Sequence, residues 1–339
     1  MRPSELALAL RAANPWWSRR QRVTWVADDP ELAQRERHEW APATRTARDA
    51  LAEVGAAPEP RVATLLVGPR GVGKTTAAKD AVLRVLSTLG VDARAVLWVP
   101  VEAAPGEPDP QRGPLTAEDL ENALHRPTRV GAPVCDGLRL VVVDEASACP
   151  GWEDVVAAGA PQAQLLVTAS VFGAGAAALP ERYPGRLTIR NLRPSTLAEL
   201  LTAQPGMDTE AVRARFMQHG GFPRALAEHR DLGRVSTQFV DLLAEGMRRD
   251  LCPGAGDHCR TDDVLAAVCE TVGRFIEPVP FAEALGIPLA HAAPLLDRLA
   301  DAGVVDPRRG LVDPLLHLLP ALRDPSRRSP TAQHVASFS

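Results

Sequence analysis

The sequence predicts an α/β fold: a mostly parallel sheet covered by helices on both faces, followed by a helical lid and a C-terminal winged-helix domain. Three observations predict it. Between residues 62 and 190 short apolar runs alternate with helical segments. A glycine-rich loop joins the first of those runs to a helix. After Ser195 the strand pattern stops, helical periodicity continues to about Arg249, and three further helices and a hairpin follow.

Taken in order, residues 1–58 form an N-terminal appendage. It has an amphipathic start, three tryptophans close together (Trp16, Trp17, Trp25), a basic cluster at Arg19, Arg20 and Arg22, and a helical pattern from about Thr44 to Val54. The appendage packs on the core or docks a partner, and packing is the stronger expectation. The joint Gly55 to Pro60 leads into a core over 59–194. Its strands are expected at Val62 to Val67, Ala95 to Val99 (stopped by Pro100), Leu138 to Val143, Gln164 to Thr168 and Leu187 to Arg190, with a surface loop from Pro105 to Pro114. Strands alternating with helices imply right-handed crossovers and a parallel sheet. Residues 195–252 read as the lid, and the Pro, Gly and Asp cluster Pro253 to Asp257 as a boundary. Residues 258–322 read as the winged helix, with helices near 262–275, 281–285 and 289–302 and two short strands flanking Asp306 to Gly310. The polar end, 323–339, is expected to be disordered.

Composition narrows the function. The chain of 339 residues is 45% hydrophobic but has no apolar run long enough for a bilayer. The apolar patch Leu6 to Leu10 lacks a following small-residue cleavage site, so a cytoplasmic location is expected. Five cysteines, an odd number without repeated spacing, argue for reduced thiols, and Cys252, His258 and Cys259 lack a fourth ligand for zinc. A net charge of -4 leaves bulk attraction to nucleic acid out; such contact would need a local patch. Of 38 basic residues only Lys74 and Lys79 are lysines.

Gly68-Pro-Arg-Gly-Val-Gly-Lys74-Thr75 has the spacing of a phosphate-binding loop, and it lies between a buried strand and a helix start, where such a loop must lie. Glycines let backbone N–H groups curl around phosphate oxygens, and the helix N-terminus adds partial positive charge. Gly68, Pro69, Arg70, Gly71, Val72, Gly73, Lys74, Thr75 and Thr76 are the expected nucleotide-binding residues, with Lys74 on the β- and γ-phosphates and the Thr75 hydroxyl on Mg2+. The strand ending in Val143-Asp144-Glu145 delivers two carboxylates to the same end of the sheet. Asp144 is the expected Mg2+ acid and Glu145 the general base for an attacking water. Thr168 and Ser170 end the next strand, level with Asp144, where a hydroxyl senses the γ-phosphate or merely caps the strand. Arg182 and Arg186 precede the fifth strand and are candidates for the charge that meets a phosphoryl transition state, in a neighbouring subunit's site or as ordinary surface residues. Gly220-Gly-Phe-Pro-Arg224 makes a sharp turn in the helical part, and Arg224 is placed to reach back to the nucleotide from a lid or to serve only the turn.

Together these segments resemble the prokaryotic AAA+-like ATPases, of the archaeal type, in which a P-loop domain is followed by a helical lid and a winged helix. The likeness runs over about residues 60 to 322. It is carried by the loop through Thr76, Val143-Asp-Glu followed by Pro150-Gly-Trp152-Glu, Leu165 to Ser170, Pro184-Gly-Arg186, Leu192-x-Pro194 leading into Leu197-x-Glu199, the Gly220-Gly-Phe-Pro223 turn, and Asp313-Pro-Leu-Leu316. Asn14-Pro-Trp-Trp17 is similar to an element found before the loop in some members. The resemblance implies an ATP and Mg2+ site, sensor-like roles for Thr168 or Ser170, and lid or finger roles for Arg186 and Arg224. Ala169 stands where relatives usually carry Gly, and the Asp313 segment lacks the aromatics that often follow it.

The leading functional expectation is a Mg-dependent, ATP-hydrolysing switch or motor. The alternative is a nucleotide-dependent DNA-binding regulator with slow or incidental hydrolysis. The third helix of the winged pattern, Leu289 to Ala302, offers Arg298 and His291 against Asp297 and Asp301, poor equipment for phosphates, whereas the wing has Arg308 and Arg309. A protein partner or self-association is therefore favoured over DNA, and no membrane is expected. A small-molecule kinase is disfavoured because Glu145 beside Asp144 suits water activation.

Overall fold

The computed structural model describes residues 3–18, 21–29, 31–33, 62–103, 113–135, 137–160, 163–170, 173–251, 261–270, 276–301, 303–305 and 313–316. The expected helix at 44–54, the joint at 55–60, most of the loop at 105–114, the cysteines and histidine at 252–259, the wing arginines Arg308 and Arg309 and the tail lie outside these residues.

Five strands form one sheet: β1 Ala63–Val67, β2 Val96–Pro100, β3 Leu140–Asp144, β4 Gln164–Ala169 and β5 Leu187–Asn191. Their spatial order is β2-β3-β4-β1-β5 and every pairing is parallel. The strands are short apolar runs because both faces are covered, so alternation of polar and apolar residues would serve nothing. Alternate residues feed two cores. Leu65, Val67, Val141, Val143, Leu165 and Val167 face helices α4 (Ala117–His125) and α5 (Trp152–Ala158). Leu66, Val96, Trp98, Val142 and Leu166 face α3 (Lys74–Ser87), the helix that follows the glycine-rich loop.

The strand that separates β1 from β3 in space is β4, which comes later in the chain, while β2 lies at the edge. This placement matters for the site, since it puts the Thr168 strand between the loop strand and the acid strand. It also explains why β2 can run through Pro100: an edge strand has a side on which the missing N–H disrupts no ladder.

The N-terminal appendage covers that edge. Helix α1 (Pro3–Ala13) ends at Asn14, whose amide donates to Trp98 O (2.8 Å) and Leu10 O (2.6 Å) and whose Oδ1 accepts Trp98 N–H (2.7 Å). Trp16 and Trp17 both donate Nε1–H to Val96 O, at 3.3 and 3.0 Å. Side chains thus occupy backbone groups that a bare edge would offer to another strand. Helix α2 (Gln21–Asp28) follows, and Asp29 and Glu31 lie 2.6 and 3.3 Å from Lys79 Nζ on α3. The second lysine therefore ties the appendage to the core helix.

Helix α6 (Gly173–Arg182) precedes β5, and seven described helices follow it: α7 Leu197–Ala203, α8 Thr209–His219, α9 Pro223–Leu232, α10 Thr237–Leu251, α11 Thr261–Glu270, α12 Pro278–Leu285 and α13 Leu289–Asp301. Phe222, Phe239, Leu243 and Met247 share one apolar core with Val268, Phe281, Leu296, Leu299, Leu315 and Leu316. Helices α9 and α10 and the C-terminal helices are thus packed around one core, and α13 also lies against α6. Among the described residues no single helix is long and apolar enough to cross a membrane.

Candidate nucleotide site

The C-terminal ends of β1, β3 and β4 converge. Lys74, the first residue of α3, is buried, and its ammonium donates to Gly68 O (3.0 Å), Pro69 O (3.1 Å) and Ser170 Oγ (3.1 Å). Gly73 caps the helix in the left-handed region at φ 92°, which lets the chain turn from loop to helix without Cβ strain. Gly68 passes so close to Leu192 that a Cβ there would strike its carbonyl.

Thr75, one position on, donates to Asp144 Oδ1 (3.0 Å), and Thr168 donates to the same oxygen from the other side (2.6 Å). The Thr168 oxygen also accepts Glu145 N–H at 2.9 Å, so one hydroxyl sets both acids. Glu145 is the single non-glycine residue with positive φ among the described residues (56°), a strained backbone of the kind that persists where surrounding contacts enforce it. Ser170 donates to Glu145 Oε2 at 3.0 Å while accepting from Lys74, and Lys74 Nζ stands 3.8 Å from Glu145 Oε1. Ser147 accepts Ser170 N–H at 3.0 Å and fixes the end of β4.

The two acids are driven apart electrostatically. Burial, followed by the charge of Glu145, pushes the Asp144 carboxyl up to about 7. Burial acts to raise Glu145 as well, but the Lys74 and Arg70 charges and the Ser170 hydrogen bond outweigh it and hold that carboxyl below its ordinary value. A cation beside Asp144 would relieve the first effect. Thr75 and Asp144 supply hard oxygen donors, which fit Mg2+. No cluster of three His, Cys, Asp or Glu side chains suited to a metal exists among the described residues. The ion would therefore need a ligand that brings its own oxygens, as a triphosphate does.

The structure brings Lys74, Thr75, Asp144, Glu145, Thr168 and Ser170 together. It places Arg186 elsewhere. That side chain is exposed just before β5, where Leu187 pairs with Ala63, the first residue of β1. The site lies at the other end of these strands, roughly 16 Å away at about 3.3 Å per residue. Arg182, at the end of α6, lies 3.5 Å from Asp154. Arg224 donates Nε–H to Glu228 at 2.9 Å and its guanidinium lies 5.4 Å above the Phe239 ring. The turn before it reaches the loop through other residues: a Cβ on Gly71 would stand 3.5 Å from Leu243, 3.6 Å from Phe239 and 3.7 Å from Phe222, and one on Gly73 would stand 3.9 Å from Pro223. Arg70 lies 3.3 Å from Glu102 and runs its stem against Gly246 of α10. Ser147, Glu102 and Phe239 carried no sequence signal, because their roles come only from proximity.

A family model described as an AAA domain matches residues 60–201. Solved structures similar to the chain include ORC2 of Aeropyrum pernix in ADPNP–ADP complexes, at 16% identity, 84% of this chain, 92% of that chain and a TM-score of 0.41. The RuvB Holliday junction branch migration motor of Thermotoga maritima is similar at 17% identity, 80% and 90% coverage and 0.34. AMPPCP-bound DnaA of Aquifex aeolicus is similar at 10% identity, 75% and 86% coverage and 0.35. No curated protein matches the chain. Likenesses this distant do not decide the architecture; the parallel sheet, the loop between β1 and α3 and the domain match do. Residues 60–201 thus match an AAA domain, and the parallel sheet with its glycine-rich loop between β1 and α3 has an α/β P-loop NTPase fold.

Proposed function

We propose that the chain is a Mg-dependent ATPase that works as a nucleotide-driven switch or motor. The observation that carries this is the convergence of Thr75 and Thr168 on one oxygen of Asp144, beside the Lys74–Ser170–Glu145 chain.

The loop N–H groups and the start of α3 bind phosphate, and Lys74 turns its three donors from Gly68, Pro69 and Ser170 to β- and γ-phosphate oxygens. Thr75 and Asp144 would hold Mg2+, which would supply positive charge to the phosphate oxygens. Glu145 stays ionised, so it can orient a water and accept its proton. Ser170 links that base to Lys74, which lets the base respond when Lys74 moves to phosphate. Thr168 holds the Asp144 side chain and the Glu145 backbone in one frame. Arg224 and the lid turn close over the nucleotide. Arg186, at the far end of the sheet, serves a neighbouring copy if the chain self-associates, and its mass in solution with and without ATP shows whether a neighbour is present.

Replacement of Glu145 by Gln keeps size and removes the base. ATP binding is retained and phosphate release falls by at least about a hundredfold. Undiminished release by Glu145→Gln would sink the ATPase assignment. The DNA-binding alternative draws little from α13, where Asp297 and Asp301 offset Arg298 and His291.

A further inference from the structure

Asp313 takes no part in the chemistry above, yet it is buried, 1% exposed. Its Oδ2 accepts Gly221 N–H at 2.7 Å and its Oδ1 accepts Leu315 N–H at 2.8 Å. One carboxylate therefore joins the C-terminal segment to the lid turn, 92 residues earlier in the chain.

The turn is shaped around this contact. Gly220 has φ 65°, and a Cβ there would run into the Asp313 carboxylate. A Cβ on Gly221 would run into the Ser195 backbone, and Ser195 N–H donates to Gly221 O at 2.9 Å. The two glycines thus make room for two different neighbours. Ser195 belongs to the segment leaving β5, and Asp313 to the C-terminal unit. The next two residues, Phe222 and Pro223, are those laid on Gly71 and Gly73 of the phosphate loop. The C-terminal unit touches the loop directly as well, since Gly303 approaches Pro69 so closely that a Cβ would come within 2.9 Å. Burial pushes the Asp313 carboxyl up to about 7 against the pull of its two N–H donors. An apolar residue would avoid that cost but would leave the Gly221 and Leu315 N–H groups without this acceptor.

We propose that Asp313 is a latch: through it the C-terminal helices hold the Gly220–Pro223 turn on the phosphate loop, and so control how readily nucleotide enters and leaves. The latch rests on the nucleotide-binding reading of that loop. Asp313 is a positioning residue, acting through Phe222 and Pro223. Both of its oxygens accept N–H groups, so an asparagine, with one acceptor oxygen, can satisfy only one of the two.

The test uses the full chain with Asp313→Asn and Asp313→Ala. Release of a fluorescent ADP analogue is timed by displacement, and hydrogen exchange is followed without nucleotide in the segments 68–76 and 220–224. The expected result is release about tenfold faster in Asp313→Ala, equivalent to about 1.4 kcal/mol, with a smaller increase in Asp313→Asn. Exchange should rise in those two segments and not in β1 to β5. Release and exchange at wild-type rates in the folded variants overturn the latch, as does a rise in exchange spread evenly over the sheet, which marks a merely structural role. If Asp313→Ala does not fold, Asp313→Asn decides by the same criteria. If the analogue binds the wild type no better than Lys74→Ala, the nucleotide reading fails, and the exchange measurement still decides the latch.

Discussion

Seen from the sheet, the glycine-rich loop faces hydroxyls, carboxylates and a buried ammonium; seen from the helices after β5, it faces Phe222, Pro223, Phe239 and Leu243. The first surface is directional. Its donors meet acceptors at hydrogen-bond distance, Lys74 alone meeting three, and the acids and hydroxyls of β3 and β4 stand on strand ends locked by a parallel ladder. The second is apolar, and apolar contact is nearly indifferent to small sliding because it scales with area rather than angle. The difference teaches that the two sides of one loop are held by different forces. On the polar floor, hydrogen-bond directions fix the hydroxyls and carboxylates, whereas the apolar cover is held by buried area, with the Asp313–Gly221 hydrogen bond as its directional tie.

The comparison predicts that cover and floor fail differently. Phe222 is fully buried in the core shared by α9, α10 and the C-terminal helices. Phe222→Ala should lower stability by about 4 kcal/mol, the range for a large cavity, measured by denaturant unfolding. A loss below about 1 kcal/mol would mean that the cover is not packed as described. On the floor, Lys74→Ala removes charge-assisted bonds to phosphate and should weaken ATP binding about a hundredfold, about 2.7 kcal/mol, measured by calorimetry. Binding unchanged within threefold would separate the loop from nucleotide altogether.

The smallest effect belongs to His219, which precedes the turn and whose Nδ1 lies 2.5 Å from Gly220 O. Burial first, with the His229 and Arg215 charges, lowers its pKa to about 4, so the folded protein holds it neutral while the unfolded chain protonates near 6.5. Its contribution is therefore present above about 6.5 and is lost as pH falls towards 4. Between pH 7 and pH 5 the wild type should lose about 2 kcal/mol relative to His219→Gln. Asp144 and Asp313 titrate with the opposite sign but are common to both proteins and cancel in the difference. Parallel pH profiles for the two proteins would show that His219 is not buried neutral.

Much of the core was legible because its signals are local. The glycine spacing before Lys74 and the apolar run into Asp144-Glu145 each specify a backbone shape within a few residues, so their placement at strand ends follows directly. Thr168 and Ser170 were legible as strand-end residues, but their double roles were not. Those depend on β4 lying between β1 and β3, a matter of sheet order that no local pattern encodes. Arg186 and Arg224 stood out by residue type and local position, before the fifth strand and after the Gly220-Gly221 turn. Local position does not say that Glu228 and the Phe239 ring take up the guanidinium of Arg224. The tryptophans near the N-terminus were visible as a cluster, and their use as donors to Val96 O was not.

The sequence by itself determined the α/β alternation, the phosphate loop, the paired acids and the turn at Gly220-Gly221, because each is a short-range consequence of spacing, chirality and side-chain size. Only the tertiary structure decided that Asn14 satisfies Trp98, that Lys79 holds the appendage, and that Asp313 reaches Gly221. These partners are 84, 50 and 92 residues apart, and at such separations the chain's covalent geometry no longer constrains which groups meet. What brings them together is the burial of apolar faces around them, and the polar contacts take their partners from whatever that packing places within reach.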